Sequence, residues 1–241
     1  SVSFPIKIYI HIHTVSTVYP QVIHKLMHNV HRKVISSMAT FLTTAEINTA
    51  KQLIEENPRL EGFVPGEGTL EPQFTLVSEA PGRIEAETGH GFMGPSGQKL
   101  NEWLTTLGIT RDQIYMTGAV KGRPFTEKNG RKSDRKPSKK EEAAFAPLLD
   151  NELAKLPKGH DLLVPLGNTG LQRLLGNAVK IGDVHGECLT HAIRYWDGQT
   201  YQWTDREYKI FAMYHPSYVR RFPRMQEPAA ADLKALKSVL R

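Results

Sequence analysis

The most chemically suggestive residues of the chain follow its last predicted strand, where His215 leads into a short aromatic and basic segment. Pro216 stiffens the turn after His215, and Tyr218, Arg220 and Arg221 come next. A ring that can stack on bases and two guanidinium groups that can pair with phosphates suit nucleic-acid binding. The same residues also fit a charged surface turn, and a lone histidine is more often structural than catalytic.

A second basic feature is the segment 121–140, which holds nine basic and two acidic residues in a chain of net charge +6. Outside this segment and the basic first 37 residues, the chain is slightly acidic. A concentrated positive block is what a protein presents to a phosphate backbone. The alternative is a solvated loop without a partner, and charge by itself leaves both interpretations open.

A glycine-rich stretch runs from Pro81 to Gly97, and Gly89, Gly91 and Gly94 within it have the spacing G-x-G-x-x-G. A dinucleotide site needs that pattern to begin directly after a strand and to run into a helix. Here the first glycine stands well beyond the preceding strand. The pattern therefore favours a loop that needs glycine for positive φ angles.

Composition limits the classes of protein to which the chain can belong. The chain has 241 residues, of which 39% are hydrophobic, so one α/β domain with a proper core is feasible. We find no apolar run long enough for a transmembrane helix. The single cysteine, Cys188, excludes an intramolecular disulfide, an all-cysteine zinc site and a four-cysteine iron–sulfur cluster. It fits a reducing compartment.

Residues 1–37 differ from the rest of the chain. Alternating isoleucines over residues 6–12 predict a half-buried strand. His24, His28 and His31 have helical spacing, but no carboxylate or cysteine accompanies them, so we expect a surface rather than a metal site. We interpret 1–37 as an N-terminal extension and 38–241 as the functional domain, with Met38 as an alternative start. Deleting the extension is expected to leave fold and activity intact.

From Met38 onward, helix and strand patterns alternate. Capping boxes at Thr43–Glu46 and Ser138–Glu141 each open a helix, and Gly108 ends another. Strands are predicted at 74–78, 114–120, 161–166, 184–195 and 208–213, helices at 167–175 and 229–240, and a loop at 121–137. This alternation predicts an α/β fold, a three-layer α/β/α arrangement with a central, mostly parallel sheet. The segments after the first and last strands should then share one edge of the sheet.

The order and spacing of several motifs closely resemble those of the uracil-DNA glycosylase superfamily. One motif begins at Glu79-Ala-Pro-Gly and continues to Gly97, and the other is His215-Pro-Ser. Between them, Val120–Pro124 and Leu166–Leu171 are similar to further family segments. The nearest branch is the iron–sulfur family four, whose first motif reads Gly-Glu-Ala-Pro-Gly. The similarity extends from about residue 74 to the C-terminus.

The resemblance implies a monofunctional DNA repair glycosylase that flips uracil out of DNA and hydrolyses its N-glycosidic bond, leaving an abasic site. In that family pattern Glu79 and Glu85 line the pocket, and one of them handles the attacking water. His215 donates a hydrogen bond to the uracil carbonyl as negative charge develops. Phe92 stacks on the flipped base, and Ala80 and Gly118 complete the base pocket. The implied DNA-binding positions are Pro81, Gly82, Ser96, Gly97, Lys121, Arg123, Ser217, Tyr218, Arg220 and Arg221, with 217–221 forming a loop in the minor groove.

Four positions depart from the family-four pattern. Ser78 replaces a glycine, and Gly91 replaces a proline. Gly118 stands where that branch carries an asparagine that reads the uracil edge, so base recognition is expected to be altered. Gly122 replaces a cluster cysteine, and no cysteine precedes Glu79. We therefore expect neither an iron–sulfur cluster nor any other cofactor or metal.

Two classes of function remain open from the sequence. The first is an active glycosylase for uracil or a related damaged base. The second is a catalytically weak or inactive nucleic-acid-binding relative, which Gly118 favours. A nucleotide-binding enzyme for small molecules is a third interpretation, against which the basic segment argues. DNA, single- or double-stranded, is the expected partner of a cytoplasmic, nucleoid-associated monomer without a membrane association.

Overall fold

A mostly parallel sheet forms the centre of the structure, a computed structural model that describes residues 38–240. The predictions for residues 1–37, a strand and a histidine-bearing helix face, lie outside the described residues. The strands are β1 (Leu60–Phe63), β2 (Glu67–Gly68), β3 (Thr75–Ser78), β4 (Tyr115–Gly118), β5 (Gly122–Lys128), β6 (Arg131–Asp134), β7 (Leu162–Pro165), β8 (Cys188–Trp196) and β9 (Tyr201–Phe211). The helices are α1 (Thr44–Glu55), α2 (Arg83–Thr88), α3 (Pro95–Leu107), α4 (Lys139–Ala154), α5 (Gly167–Leu175), α6 (Ile181–Val184), α7 (Pro216–Arg221) and α8 (Gln226–Val239).

The central sheet has the strand order β2-β4-β3-β7-β9-β8 among the described residues. The four inner strands β4, β3, β7 and β9 run parallel, while β2 and β8 are antiparallel edge strands. Strand β3 is buried at all four positions, as expected for an inner strand covered on both faces. The predicted mostly parallel sheet is therefore confirmed.

Helices cover both faces of this sheet. Because successive side chains of a strand point to opposite faces, Leu76 and Val77 of β3 show which helices lie on each side. Val77 belongs to a core cluster with Leu149 of α4 and Leu171 of α5. Leu76 lies on the other side, where it lines a small apolar cavity with residues of α3 and α8, among them Leu100. This is the three-layer α/β/α arrangement that the sequence predicts. Within residues 38–240, no helix is both long and apolar enough to cross a bilayer.

Local signals in the sequence set most of the helix ends correctly. Thr43 and Ser138 both form the predicted capping boxes, with Glu46 and Glu141 closing the reciprocal hydrogen bonds. Gly108 ends α3 with a φ of 78°, a left-handed conformation that glycine adopts without steric cost. These caps confirm the predicted helix starts and the predicted end of α3.

The predicted basic loop is wrong in part, because residues 122–134 form the hairpin of β5 and β6. Asn129 and Gly130, with φ angles of 52° and 73°, make the turn. Asn-Gly is the residue pair that favours such a tight hairpin turn, and the high charge of the segment obscured this signal. Strand β5 also pairs with β1, so these strands build a separate antiparallel sheet in the order β1-β5-β6.

Two other strand predictions need correction. The strand predicted at 184–195 begins only at Cys188, because Ile181–Val184 forms the short helix α6. The strand predicted at 208–213 begins earlier, at Tyr201, and extends the hairpin with β8. Much of this hairpin is solvent-exposed, so its polar residues hid the strand pattern from the sequence.

Candidate active site

The two segments that the sequence singled out meet at one edge of the central sheet. Strands β3 and β9 are both parallel to β7, so their carboxyl ends lie at the same edge. Ser78, the last residue of β3, places its hydroxyl 3.3 Å from Nε2 of His215, which follows β9. The predicted juxtaposition of these loops is confirmed, and this edge of the sheet is the candidate active site.

His215 is held in one protonation state by the turn that it begins. It is the N-cap of α7, and the main-chain N–H of Ser217 donates to its Nδ1 across 3.2 Å. Because a main-chain N–H can only donate, Nδ1 must be the unprotonated nitrogen, and Nε2 carries the proton. Burial lowers the pKa of His215 to about 4. At neutral pH the ring is therefore an uncharged hydrogen-bond donor through Nε2.

Phe92 presents an aromatic ring close to this donor. The two ring centroids of Phe92 and His215 lie 6.4 Å apart, and the ring planes differ by 26°. Phe92 has a positive φ of 53°, which is uncommon for a residue other than glycine. A Cβ on Gly97 would lie 1.6 Å from the Phe92 carbonyl oxygen, so only glycine permits this approach. The glycine-rich loop thus places an apolar ring face beside a polar donor.

Two charged residues outside the motifs hold the loop that carries Phe92. Glu67 of β2 accepts the main-chain N–H of Gly91 at 2.8 Å, and Arg111 donates to the Phe92 carbonyl at 2.6 Å. Both side chains are buried, at 5% and 7% exposure, so their polar atoms are committed to these contacts. Sequence reasoning missed them because they lie in a two-residue strand and in a single 3₁₀ turn. No local pattern marks either residue.

The two predicted glutamates have different surroundings. Glu79 follows β3 directly, and its Oε2 accepts the hydroxyl of Thr169, which lies at the start of α5. Glu85 lies in α2, and its Oε1 accepts the main-chain N–H of Gly94, the N-cap of α3, at 2.8 Å. Glu85 therefore ties α2 to α3. Among the described residues, no hydrogen bond to Oε1 of Glu79 is formed, which leaves this oxygen able to hold a water molecule.

Gly118 ends β4 and pairs with Ser78 across the parallel ladder. Its carbonyl accepts Nζ of Lys121 at 3.2 Å. A Cβ at this position would lie 3.3 Å from the Val120 carbonyl oxygen, a tight but not prohibitive contact. The position that the family pattern uses to read the base edge thus offers only main-chain groups.

The predicted DNA-binding residues of the second motif lie on a helix and not on a loop. Residues Pro216–Arg221 form α7, because Pro216 suits the first turn of a helix and His215 caps it. Tyr218, Arg220 and Arg221 are exposed on this helix. Tyr218 lies between Tyr214 and Phe222, with centroid distances of 5.8 Å and 4.8 Å. The helix offers an aromatic surface and two cations beside the site.

The predicted DNA-binding residues of the first motif lie at the amino-terminal ends of two helices. Pro81 and Gly82 are half-buried at the start of α2, where Gly82 is the N-cap, and Ser96 is half-buried in the first turn of α3. Ala80 is different, because its side chain packs against the apolar cluster that includes Ile54 of α1. Ala80 therefore contributes to the core beneath the site.

The predicted DNA contacts of Lys121 and Arg123 are wrong, because both side chains are buried and paired with carboxylates. Lys121 is 1% exposed and forms an ion pair with Glu152, which also accepts the hydroxyls of two neighbouring β4 residues. Arg123 is 3% exposed and pairs with Glu61 and Asp134. The charge of both residues is compensated within the fold, so their role is structural.

The residues present do not fit an iron–sulfur cluster of the kind that family four carries. A side chain at Gly122 would meet Ile54 at 2.7 Å, so apolar packing fills the space beside this position. Cys188 lies exposed on the edge strand β8, four strand spacings or about 19 Å from β4. Within residues 38–240, no group of three or more His, Cys, Asp or Glu side chains could hold a metal ion.

A family model and several known proteins are similar to this chain over most of its length. Residues 65–237 match the family model described as the uracil DNA glycosylase superfamily. The type-4 uracil-DNA glycosylase of Pyrobaculum aerophilum is 33% identical over 172 residues, which cover 70% of this chain and 79% of that protein. The Thermotoga maritima enzyme of the same name is 30% identical, over 74% of this chain and 83% of its own length. The Sulfurisphaera tokodaii enzyme of that name is 29% identical, over 73% and 74%.

Proposed function

This chain belongs to the uracil DNA glycosylase superfamily, and on that premise we propose that it releases uracil from DNA by hydrolysis of the N-glycosidic bond. The observation that carries the proposal is the neutral His215, whose ring lies near the Phe92 ring and whose Nε2–H has the exchangeable Ser78 hydroxyl as its partner. The type-4 names of the similar proteins support the same activity. The product is an abasic site, the starting point of base excision repair.

In this mechanism His215 stabilises the departing base. As the bond between C1′ and the base nitrogen breaks, negative charge moves onto the uracil carbonyl oxygen. A neutral donor fixed in advance stabilises that charge without having to reorganise, which is the basis of oxyanion-type catalysis. Because Ser217 fixes the tautomer, the donating nitrogen faces the site before the base enters it.

Glu79 is the residue that we assign to the attacking water. One of its oxygens is oriented by Thr169, and the other is available to accept a hydrogen bond from water. The water oxygen forms the new bond to C1′, its proton passes to the carboxylate, and the uracil anion leaves with the bonding electrons. Glu85 acts in the proposal as the residue that holds α3 and the Phe92 loop in place.

The base itself must leave the helical stack to reach this site, at a cost of a few kcal/mol. Phe92 replaces part of the lost stacking by offering its ring face. On the DNA side we assign the contacts to Pro81, Gly82, Ser96, Ser217, Tyr218, Arg220 and Arg221. The predicted contact at Gly97 is withdrawn, because Gly97 is buried against the Phe92 carbonyl and supports the loop instead. Helix α7 brings its aromatic surface and guanidinium groups against the strand that carries the flipped nucleotide. We also propose that the protein acts as a monomer on nucleoid DNA in the cytoplasm.

Release of free base from oligonucleotides tests the proposal. The full chain is incubated with single- and double-stranded oligonucleotides that carry one uracil, and with matched ones that carry thymine, cytosine or hypoxanthine. We expect free uracil and alkali-labile strand cleavage from the uracil substrates alone. DNA binding without the release of any base would overturn the proposal and favour a binding-only relative, which the bare Gly118 position would explain. Release of another base would replace uracil as the substrate.

A further inference from the structure

The hairpin of β5 and β6 carries an unusual pair of charges at its tip. Lys128 and Arg131 flank the Asn129–Gly130 turn and stand directly opposite each other in the strand register. Two like charges facing each other across a hairpin oppose its formation. Residues 126–134 are exposed throughout, so neither cation is needed to fill a core. The fold itself gives no reason for this pair.

The cations at the base of the hairpin form ion pairs within residues 38–240, whereas those at its tip do not. Lys132 and Arg123 both pair with Glu61, and Arg123 also pairs with Asp134. Within the part of the chain that the structure describes, Lys128 and Arg131 form no ion pair. Compensated charge at the base and uncompensated charge at the tip indicate that the tip meets an anion from outside the fold.

The hairpin is fixed to the candidate active site at its base. Oδ2 of Asp134, the last residue of β6, lies 3.4 Å from the position that a Cβ on Gly82 would occupy. Gly82 belongs to the motif that follows β3, next to Glu79. Arg131 is three residues along the strand from Asp134, a distance of about 10 Å at 3.3 Å per residue. The tip therefore stands one short strand length from the motif that faces DNA in the proposed function.

We propose that the hairpin tip is a second DNA-binding site, in which Lys128 and Arg131 bind phosphates of the DNA backbone away from the flipped nucleotide. With one phosphate per 3.4 Å of each strand, 10 Å corresponds to about three nucleotides. The segment from Thr126 to Ser133 contains no apolar side chain, so it lacks the apolar centre that a protein partner would need. This inference rests on the proposed function for the choice of DNA as the anion.

The test compares two double variants of the full chain, Lys128→Ala/Arg131→Ala and Lys158→Ala/Lys209→Ala. Both remove two positive charges. Both control lysines are exposed and lie far from the candidate site, at the edge of the sheet where the parallel strands begin. Lys158 precedes β7, and Lys209 pairs with its first residue, Leu162. Dissociation constants are measured against NaCl concentration with a duplex that carries a stable abasic-site analogue. Thermal unfolding of each variant verifies that it is folded.

We expect the hairpin variant to bind more weakly and its log Kd to depend less steeply on log salt concentration. The slope should fall by about 2, one for each lost phosphate contact, while the control variant keeps the wild-type slope. When the duplex extends fewer than three base pairs beyond the abasic site on the side that the hairpin reaches, the tip has no phosphate to bind. The hairpin and control variants should then have equal dissociation constants. The inference would be overturned if the hairpin variant kept the wild-type slope of log Kd against log salt concentration. It would also be overturned if both variants lost the same amount of affinity for DNA.

A uracil-release assay over a range of DNA concentrations separates this inference from the proposed function. The hairpin variant should need a higher DNA concentration than the wild type for half-maximal release, because it has lost two phosphate contacts. If the wild-type chain binds DNA with the hairpin-dependent slope but releases no base, the proposed function fails and the hairpin site stands. If the chain releases uracil and the hairpin variant keeps the wild-type slope, the proposed function stands and the hairpin site fails.

Discussion

The main-chain N–H of Ser217 donates to Nδ1 of His215 across 3.2 Å, and this one contact determines which ring nitrogen carries a proton. The Ser217 hydroxyl lies 2.8 Å from the same nitrogen and strengthens the arrangement. Nε2 is consequently the donor, and it faces Ser78 at the end of β3. A three-residue turn, His-Pro-Ser, thus produces a neutral and oriented hydrogen-bond donor.

The pH dependence of base release should show no loss of activity near pH 6.5. Burial lowers the pKa of His215 from 6.5 to about 4, so the ring stays neutral in the folded protein until the pH falls well below 6.5. Between these two values the unfolded chain binds a proton that the folded chain does not, so this group's effect on stability becomes unfavourable as pH falls. Single-turnover rates from about pH 5 to 8 and ¹⁵N spectra of the ring check this. A ring that titrates near 6.5 would contradict the neutral state that we assign to His215 in the folded protein at pH 5 to 6.

Ser78 is expected to compete with the substrate for His215. Its hydroxyl lies 3.3 Å from Nε2, the nitrogen that the uracil carbonyl needs. Because binding the base must break this contact, Ser78→Ala should raise kcat/KM by about two- to tenfold, the worth of one hydrogen bond of 0.5–1.5 kcal/mol. Thr75→Val is the control, since it removes an unpartnered buried hydroxyl at the other end of β3. A slower Ser78→Ala enzyme would show that the hydroxyl assists His215.

The two glutamates should separate into one that acts on water and one that supports the loop. Glu79→Gln removes the charge that would accept the water proton, and we expect about a hundredfold slower single-turnover release with unchanged thermal stability. Glu85→Ala removes the acceptor of the Gly94 N–H, and we expect a loss of about 1–3 kcal/mol in unfolding free energy. Urea unfolding and release rates are measured on both variants. Equal rate losses without destabilisation by Glu85→Ala would place both carboxylates at the water.

Gly118 should accept a base-reading side chain. Gly118→Asn restores the residue that the family-four pattern has here, and its Cβ needs only a small shift of the Val120 carbonyl, 3.3 Å away. We expect about 1–3 kcal/mol more discrimination between uracil and cytosine, measured as the ratio of the inhibition constants of the two free bases in the release assay. Gly118→Ala carries the same Cβ without the amide and should leave the ratio unchanged. If both variants discriminate alike, the side chain at this position does not read the base.

The sequence predicts the layers of the fold and the meeting of its two motifs well, because these depend on local patterns. Capping boxes such as Thr43–Glu46 and short buried strands such as Thr75–Ser78 are set by neighbouring residues. Parallel strands then bring Ser78 and His215 together by topology alone. The hairpin escaped prediction because residues 126–134 are exposed and polar, so that only Asn129–Gly130 marked it.

The supporting residues of the site escaped prediction for a different reason. Glu67 and Arg111 contact the Phe92 loop from elements that are distant in sequence, so no spacing pattern links them to it. Lys121 and Arg123 show the converse. Their charge suggested DNA contacts, but acids such as Glu152 and Glu61 neutralise them in the fold, and such pairing over 31 or 62 residues cannot be read from composition.

Single-turnover uracil release by His215→Ala tests the central claim most directly. The control is His191→Ala, which removes an exposed imidazole from the edge strand β8. We predict that His215→Ala loses at least about a hundredfold in the rate of release, as when one oxyanion-type donor is removed, while its affinity for duplex DNA stays within a few-fold. His191→Ala should match the wild type in both. A His215→Ala enzyme that is folded and releases uracil at the wild-type rate would contradict the account.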